Sequence, residues 1–411
     1  GAVMKEYGDL LGTDEAHRFS ARVRDFSEWM VATGLPVFRS TGQTVVVQDP
    51  CHLRNVQRTH EHGRPEVAPR SRATGRRHHR RHPPVTRFDV VAFGNALVDI
   101  LAYEDDATVI RAGLERGAMT LVDGARADEI YAAMSPSTEV SGGSAANTMA
   151  GIASFGGRAA FIGRIADDTF GRVFAHDLRS AGVHFDPPIA RGAEPTGRCL
   201  VMVTPDAQRT LCTHLGTGVD LDPTYVDEAL IADAAVTYLE GYLWDQPPAK
   251  EAMRSACRTA RANGRRIAFT LSDPICVERN RDEFLHHVEH EVDVLVANEH
   301  EITSLYSVER FDDALQHVRS HCEIAVLTRG PLGAVVVAGD EVHVIDPVAT
   351  TVVDTTGAGD LFAAGFLYGL TAGRPLSACG RLGAAAAAEV ISHLGARPAV
   401  SLAELAAPIL D

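Results

Sequence analysis

Several features that mark other classes of protein are missing from the 411-residue chain. No apolar run is long enough and free enough of charge to span a bilayer, which argues against an integral membrane protein. The first residues, "GAVMKEYGDLL", hold no basic stretch followed by an apolar one, so we expect no secretion signal. The seven cysteines are scattered and odd in number, which argues against a disulfide framework or a CxxC zinc site. Such cysteine usage favours a reducing compartment, and we expect a cytoplasmic protein.

Also missing is the pattern GxxxxGK[ST], the lysine-containing loop with which many proteins hold nucleotide phosphates. The net charge of −15 argues against nucleic-acid binding by the chain as a whole. The charge is uneven, because "RPEVAPRSRATGRRHHRRHPPVTR" is rich in Arg, His and Pro and almost lacks large apolar side chains. Such a segment cannot bury enough surface to fold, so we expect a basic disordered linker over residues 63–87. A nucleic-acid-binding arm is the alternative, although no aromatic residues are interleaved.

Residues 1–62 precede this linker and contain one helical pattern, "AHRFSARVRDFSEWMVATG". The segment "DPCHL" around Cys51, together with "GAVMKEYGDLL", resembles the cysteine-rich domain of glycolate-oxidase and heterodisulfide-reductase iron–sulfur subunits. Those domains use several further cysteines, and none follows here before the basic run. Because Cys51 alone cannot hold a cluster, we interpret residues 1–62 as a truncated remnant of such a domain.

Residues 88–411 alternate between short apolar runs and helical patterns. Examples of the runs are "FDVVAF", "RRIAFTLSD", "VDVLVANEHE" and "EIAVLTRG", with "AKEAMRSACRTARANG" among the helical patterns between them. Strands alternating with helices predict a layered α/β fold with a mostly parallel sheet. The stretch "GRCLVMVTPDAQRTLCTHLGTG" predicts a hairpin in a small β lid, with lid strands around residues 183–218. "RLGAAAAAEVISHLGARP" predicts an Ala-rich helix ending at Gly395.

The stretch "VVDTTGAGDLFAAGF" places a glycine-rich turn directly before a helix. Free backbone N–H groups at the start of a helix form a site for anions, and Gly357, Ala358 and Gly359 leave that backbone accessible to a phosphate. A carboxylate there is unsuited to neutralising an anion, so Asp360 fits better as a general base that takes a proton from a hydroxyl. The alternative is a capped helix with Asp360 in its first turn.

Two further motifs carry groups suited to binding hydroxyls. In "VSGGSAANTMAG", Gly142 and Gly143 would let a ligand ring approach the backbone, and Asn147 could bind hydroxyls. In "GNALVD", Asn95 and Asp99 follow the first strand, where a carboxylate can accept two hydrogen bonds from a diol. The alternative for Asp99 is the cap of a turn.

Two strand ends carry groups suited to a nucleotide. In "ANEHE", Asn298 and Glu301 offer hard oxygen atoms that can hold Mg²⁺ through water, unless Glu301 is only a solvated helix residue. In "LTRG", Thr328 to Gly330 follow at the end of the next strand. The ends of parallel strands at one edge of a sheet are where ligands bind in such folds.

In order along the chain, "GNALVD", "GGSAAN", "NEHE", "TRG" and "DTTGAGD" resemble the ribokinase-type, or PfkB, family of carbohydrate and nucleoside kinases. The resemblance covers residues 88 to about 405, roughly three quarters of the chain. It implies a Rossmann-like, three-layer α/β/α fold with a small β-sheet lid, and the use of ATP with Mg²⁺. An anion hole replaces the lysine-containing phosphate loop in this family.

The resemblance also implies residue roles. It implies a catalytic base at Asp360 and an anion hole formed by Gly357, Ala358 and Gly359. The implied substrate and nucleotide sites comprise residues of four motifs, namely Asn95, Asp99, Gly142, Gly143, Asn147, Asn298, Glu301, Thr328 and Gly330. Glu301 would hold Mg²⁺ through water. Many members also have a monovalent-cation site, for K⁺ for example, to which Asp354 and Thr356 would contribute.

Three of the motifs look closer to the adenosine-kinase versions, so we expect ATP-dependent phosphorylation of a nucleoside, adenosine to AMP. A sugar kinase acting on ribose or fructose is the alternative, and a non-catalytic nucleotide or sugar sensor is the alternative of another class. Arg198 in "PTGRC" either meets the transferred phosphate or forms a salt bridge on the lid. Phe174, Phe185 and Tyr242 either stack on a purine or belong to the core. We expect a small-molecule partner, no membrane or nucleic acid, and a monomer or homodimer.

Overall fold

The computed structural model describes residues 86–190, 194–206 and 208–410. The predictions for residues 1–62 and for nearly all of the 63–87 segment lie outside these residues and stay predictions. In the described part, no helix is long and apolar enough to cross a membrane. The six cysteines of that part are free thiols, in keeping with their scattered spacing.

The described residues form alternating strands and helices. The strands are β1 Phe88–Phe93, β2 Leu97–Tyr103, β3 Met119–Leu121, β4 Thr138–Gly142, β5 Ala159–Ile162, β6 Thr196–Val203, β7 Arg209–Gly216, β8 Ala234–Glu240, β9 Arg266–Thr270, β10 Val294–Asn298, β11 Ile324–Thr328, β12 Ala334–Ala338 and β13 Glu341–Ile345. The helices are α1 Asp106–Arg111, α2 Gly124–Ala133, α3 Ser144–Ser154, α4 Thr169–Ser180, α5 Glu228–Ala232, α6 Pro247–Ala262, α7 Pro274–His290, α8 Glu299–Tyr306, α9 Phe311–Val318, α10 Ala358–Thr371, α11 Leu376–Val390 and α12 Leu402–Leu410.

Eight strands form the main sheet, in the order β13-β12-β11-β10-β9-β8-β1-β5. The six strands from β11 to β5 run parallel, and β12 and β13 add an antiparallel edge. Short runs of Val, Ile, Leu and Ala suit these positions, because the strands of a parallel sheet are covered on both faces and have no polar side.

Helices cover both faces of the main sheet. Along β1, Val90 and Ala92 belong to a core that α3, α10 and α11 complete. The alternate residues Val91 and Phe93 belong to a second core that α6 and α7 complete. Because successive side chains of a strand point to opposite faces, one strand supplies both cores. The predicted three-layer α/β/α arrangement is confirmed.

The remaining five strands form a separate lid sheet in the order β3-β7-β6-β2-β4. Strands β6 and β7 are the two antiparallel strands of the hairpin that the sequence predicts. The other three come from earlier in the chain, and β2 pairs parallel to β6 with Asp99 opposite Cys199. This pairing joins residues about a hundred positions apart, so no local turn signal marks it.

One prediction about a helix boundary is wrong. Helix α11 ends at Val390 rather than at Gly395. The carbonyl of Ile391 accepts hydrogen bonds from the backbone N–H groups of Val353 and Asp354, which lie just before the glycine-rich turn. These N–H groups satisfy a carbonyl that would otherwise lack a hydrogen-bond donor at the end of the helix. Gly395 lies in the loop that follows, with φ of 95°.

Candidate active site

A cleft of about 410 Å³ opens at the carboxyl ends of the parallel strands. Register brings together the last residues of neighbouring strands: Glu240 lies opposite Thr270, and Asn298 lies opposite Thr328. Asp360, in the first turn of α10, also lines this cleft. The sheet therefore gathers groups that lie far apart in the sequence, as expected for the ligand edge of such a fold.

The carboxylate of Asp360 is held by two donors from the start of α3. Ser144 Oγ donates to Oδ1 at 2.7 Å, and Asn147 Nδ2 donates to Oδ2 at 2.9 Å. Burial raises the pKa of Asp360, while these two hydrogen bonds and the charge of Arg397 lower it. A fixed carboxylate with a raised pKa, at the wall of a cleft, is suited to accept a proton from a hydroxyl.

The turn before Asp360 has backbone donors, and its residues Ala358 and Gly359 line the cleft. Helix α10 has Gly357 as its N-cap, with φ of 74°, and no side chain caps the helix. The Ala358 N–H reaches the carbonyl of Thr355 at 3.3 Å, whereas in the described residues the amides of Gly357 and Gly359 have no protein acceptor. Gly359 lies against open space, since a Cβ there would meet no atom within 4 Å. Two of the three predicted anion-hole amides are therefore free to bind.

The two glycines before α3 allow protein groups to approach closely. A Cβ on Gly143, whose φ is 91°, would lie 2.3 Å from the carbonyl oxygen of Asn95. A Cβ on Gly142 would lie 2.2 Å from the carboxylate of Asp99. In the structure the lack of side chains at these glycines makes room for Asn95 and Asp99. That the glycines also let a ligand ring approach the backbone stays a prediction.

Asp99 projects from the lid strand β2 and is half-buried. Burial raises the pKa of Asp99 to about 7, although the charges of Arg397 and Arg209 lower it. In the described part of the chain no hydrogen bond to its carboxylate is formed. Asn147 also keeps a free acceptor, because its buried Oδ1 has no hydrogen-bond partner among the described residues. Unused acceptors on the lid and on α3 suit a ligand that carries hydroxyl groups.

Glu240, which the sequence reading missed, organises this side of the site. It is 1% exposed, and its Oε1 accepts from Asn95 Nδ2 at 2.9 Å while its Oε2 accepts from the Ala145 N–H at 3.0 Å. Burial raises its pKa to about 7. In the sequence, Glu240 could have been found as the carboxylate at the end of the apolar strand "AAVTYLE". The amide nitrogen of Asn95 is thus already used by Glu240.

Arg397 is the second residue that the sequence reading missed. Its Nε and Nη2 donate to the carbonyl and hydroxyl of Ser141, both at 3.0 Å, and its Nη1 donates to the carbonyl of Ala146 at 2.6 Å. Burial lowers its pKa to about 10, against the charges of Asp99 and Asp360. The guanidinium therefore fixes the loop between β4 and α3 and places a positive charge near both carboxylates.

On the other side of Asp360, Asn298 and Glu301 form a capping box at the start of α8. The Asn298 N–H donates to Glu301 Oε2, and the Glu301 N–H donates to Asn298 Oδ1, both at 2.9 Å. Glu301 is only 4% exposed, so it is not the solvated helix residue of the alternative interpretation. Burial raises its pKa to about 7, and the charges of Asp273 and Asp360 raise it further.

The resulting cluster of carboxylates fits a divalent cation. Glu301 and Asp360 line the same cleft, and Arg329, which also lines it, is already paired with Glu299 at 3.0 Å. Besides burial, the charge of Asp360 raises the pKa of Glu301. A cation bound near such carboxylates stabilises their charged forms, and Mg²⁺ prefers oxygen ligands and retained waters. The residues present therefore fit Mg²⁺ held by Glu301 through water.

An apolar cavity of about 530 Å³ adjoins the cleft. The two share Thr328 and Gly330, together with Ala358 and Gly359 of the glycine-rich turn. The far part of the cavity is lined by apolar side chains, namely Pro347, Val348, Val352, Phe362, Ala384, Ala387, Ala388 and Ile391. An apolar slot that leads to free amides at a helix start suits an adenine ring with a phosphate chain.

Several candidates have other partners in the structure. Arg198 forms an ion pair with Asp128 and donates to the carbonyl of Gly124 at 3.2 Å, which matches the lid salt-bridge alternative. Phe174 and Phe185 pack edge to face in the core, with ring centroids 5.3 Å apart. Neither ring is available to stack on a purine. Tyr242 is half-buried and donates its hydroxyl proton to the carbonyl of Ser272 at 3.3 Å.

An α/β fold with a β lid and a carboxylate beside free amides at a helix start defines the class as a small-molecule phosphotransferase. The characteristic sequence pattern of the pfkB family carbohydrate kinases matches residues 121–402, and the chain belongs to that family. The predictions of a PfkB kinase and of an enzyme that transfers phosphoryl groups are confirmed.

Solved structures and curated relatives support the same family. A probable sugar kinase from Rhizobium etli CFN 42 is 46% identical, with a TM-score of 0.76 over 79% of this chain and 98% of that one. The adenosine kinase from Sinorhizobium meliloti is 48% identical, with a TM-score of 0.75 over 78% of this chain and 99% of that one. The 5-dehydro-2-deoxygluconokinase of Geobacillus thermodenitrificans is 29% identical over 65% of this chain and 83% of its own length.

Proposed function

We propose that the chain transfers the terminal phosphoryl group of ATP to a primary hydroxyl of a nucleoside, with adenosine as the preferred acceptor. The observation that carries the reaction is the position of Asp360. It lies beside the free amide of Gly359, in a cleft that Glu301 also lines, and it is hydrogen-bonded to Ser144 and Asn147. One carboxylate thus borders both the phosphate-binding amides and the hydroxyl-binding side chains.

The choice of adenosine rests on two observations. The adenosine kinase from Sinorhizobium meliloti is 48% identical over nearly its whole length. The lid sheet also carries an apolar cluster, formed by Leu101, Cys199, Val201 and Val203 with Val140, Leu211 and Leu394 beside it. Asp99 shares this face, because it lies directly opposite Val140 and Cys199 in the sheet. An apolar surface beside a single carboxylate suits a nucleoside, which has a flat base and a diol, better than a small sugar.

In the proposed reaction, Asp99 and the free Oδ1 of Asn147 orient the hydroxyl groups of the acceptor. Asp360 takes the proton of the reacting hydroxyl, whose oxygen attacks the terminal phosphorus of ATP while the bond from that phosphorus to the bridging β-phosphate oxygen breaks and ADP leaves. The amides of Gly357 and Gly359 donate to the oxygens on which charge develops, as in other sites that stabilise an oxyanion. When bound beside Glu301, Mg²⁺ would supply positive charge for the phosphates. The lid excludes water, which suppresses hydrolysis of ATP.

A sugar kinase is the second candidate. The probable sugar kinase from Rhizobium etli is almost as similar, at 46% identity. The curated relatives include 5-dehydro-2-deoxygluconokinases, whose named substrate carries a carboxylate. Arg209 and Arg397 lie close enough to Asp99 to lower its pKa, so the acceptor side also holds positive charge that could attract a sugar acid.

A panel of acceptors tests the choice. The full chain is assayed with ATP and Mg²⁺ in a coupled ADP assay against adenosine, other nucleosides, ribose, fructose and 5-dehydro-2-deoxygluconate. We expect kcat/KM for adenosine to exceed that for every sugar at least tenfold. A higher kcat/KM for any sugar would contradict the nucleoside assignment and leave the phosphotransferase assignment intact.

A further inference from the structure

Asp354, the first residue of "DTTGAGD", is held by two backbone N–H donors and by an ion pair with an arginine, from three segments of the chain. It is 3% exposed. Its Oδ1 accepts from the Thr356 N–H at 2.9 Å and lies 2.9 Å from Arg209 Nη1, while its Oδ2 accepts from the Gly395 N–H at 2.8 Å. Arg209 begins the lid strand β7, so an ion pair joins the lid to the turn that carries the phosphate-binding amides.

These surroundings do not fit the monovalent cation that the family resemblance implied at Asp354 and Thr356. Cations such as K⁺ bind to oxygen atoms, but here N–H donors use both carboxylate oxygens. The carboxylate is also paired with the Arg209 guanidinium, and the two side chains are only 1% and 11% exposed. A cation placed beside Asp354 would meet a like charge with little water to screen it, and both would compete for one carboxylate.

We propose that the Arg209 guanidinium supplies the positive charge at Asp354, so that phosphoryl transfer needs no monovalent cation and depends instead on the lid being closed. Asp354 links this charge to the phosphate-binding amides, since it accepts from the Thr356 N–H and Gly357 follows directly. Arg209 is a positioning residue, because it contacts Asp354 and not the reacting atoms. The inference rests on the phosphotransferase activity and not on the choice of acceptor.

Two other arginines of the lid region, Arg198 and Arg116, differ from Arg209 in what they join. Arg198 pairs with Asp128, and Arg116 pairs with Asp106 and Asp206, all of them residues that precede β8 in the chain. Among the ion pairs of the described residues, the Arg209–Asp354 pair alone connects a lid strand with the glycine-rich turn. Its loss would therefore uncouple lid closure from the order of the turn.

The first test compares KCl, NaCl and tetramethylammonium chloride at equal ionic strength, with the full chain and the best acceptor from the panel. We expect kcat and the KM for ATP to agree within twofold in the three salts. Activation by K⁺ of more than fivefold would overturn the proposal.

The second test uses three variants. Arg209→Gln should lower kcat at least tenfold in tetramethylammonium chloride and recover severalfold with K⁺ or with millimolar guanidinium, because either cation can balance Asp354. Arg209→Lys should keep most of the activity without any added cation. Arg116→Gln, a lid arginine whose partners lie away from the turn, should match the unaltered chain in every salt. An Arg209→Gln chain that is fully active, or that no cation restores, would overturn the role of the charge.

A third measurement does not depend on turnover. The unfolding temperature of the unaltered chain and of Arg116→Gln should be the same in the three salts. Arg209→Gln should be stabilised by K⁺ or guanidinium at concentrations where tetramethylammonium has no effect. If Arg209→Gln had the same unfolding temperature in all three salts, no added cation would be replacing the guanidinium beside Asp354, and the proposal would fail. If no acceptor is phosphorylated, the proposed function fails, and this measurement still decides the inference about Arg209.

Discussion

Helices α3 and α10 begin in the same way, but their first turns have different roles. Each follows a glycine with positive φ, 91° at Gly143 and 74° at Gly357, and neither has a side-chain cap. At the start of α3 the Ala145 N–H donates to Glu240 at 3.0 Å. At the start of α10 the amide of Gly359 has no protein acceptor in the described part and faces the cleft. The protein itself supplies a hydrogen-bond acceptor at the start of α3, whereas the start of α10 keeps a donor for a ligand.

The difference shows that a glycine-opened helix is not by itself a binding site. Glycine permits the turn in both places, and the residues packed against the turn decide whether its amides remain free. The partner of α3 is a carboxylate 95 residues away in the sequence. With its amide occupied, α3 instead presents Ser144 and Asn147 to Asp360, and the two starts together form the site.

The largest effect is expected at the carboxylate where the two helix starts meet. Asp360→Asn should lower kcat by roughly 10²- to 10⁴-fold, because the amide cannot accept the proton of the hydroxyl. Ser144 and Asn147 can still contact the new side chain, so the circular dichroism spectrum and unfolding temperature should stay close to normal. Asp340→Asn, at an exposed carboxylate, is the control and should be fully active. Normal turnover by Asp360→Asn would remove Asp360 from the reaction.

Alanine substitutions at Gly357 and Gly359 should separate the effect of backbone strain on stability from the effect of a side chain on ligand binding. At Gly357 a Cβ would lie 2.8 Å from Ala396 Cβ, at a φ that L residues rarely adopt. Gly357→Ala should therefore cost roughly 1 to 3 kcal/mol of unfolding free energy and most of the activity.

At Gly359 a Cβ would meet no protein atom within 4 Å. Gly359→Ala should leave the unfolding free energy unchanged or raise it by about 0.5 kcal/mol, because alanine favours the helix. The KM for ATP should nevertheless rise about tenfold, since the methyl group points into the phosphate position. Urea unfolding and steady-state kinetics of both variants check the pair. An unchanged KM for ATP in Gly359→Ala would mean that phosphate binds elsewhere.

The pH dependence of stability tests the role of Glu240, the acceptor at the start of α3. Its pKa is raised from the ordinary value of 4.5 to about 7, so the folded chain binds this proton more tightly than the unfolded chain. Stability should consequently fall as the pH rises from 4.5 to 7, by roughly 3 kcal/mol from this group, and stay level above pH 7. Glu240→Gln removes this proton, and the fall between pH 5 and pH 8 in urea unfolding should become correspondingly smaller. An unchanged slope would mean that Glu240 titrates normally.

The same comparison explains how far the sequence could predict this molecule. The alternation of strands and helices, the hairpin of β6 and β7, and the approach of the strand-end motifs follow from local pattern and from the geometry of parallel sheets. Glu240, Arg397 and the pairing of β2 with β6 depend on contacts between segments distant in the sequence. The role of the aromatic residues was left open for a related reason, since composition cannot distinguish a ring that lines a pocket from one, such as Phe174, that fills the core.

The smallest effect is expected at Ser144, which supports Asp360 without taking part in the chemistry. Its hydrogen bond lowers the pKa of Asp360, so Ser144→Ala should raise that pKa. A base with a higher pKa is protonated over more of the acidic range, and the acid limb of kcat/KM should move to higher pH. On the alkaline side of that limb, where kcat/KM no longer changes with pH in either chain, the difference should shrink to about twofold. Ser137→Ala, at an exposed serine, should leave the profile in place. A displaced limb with unchanged stability would show that Ser144 acts on the reaction through the carboxylate of Asp360.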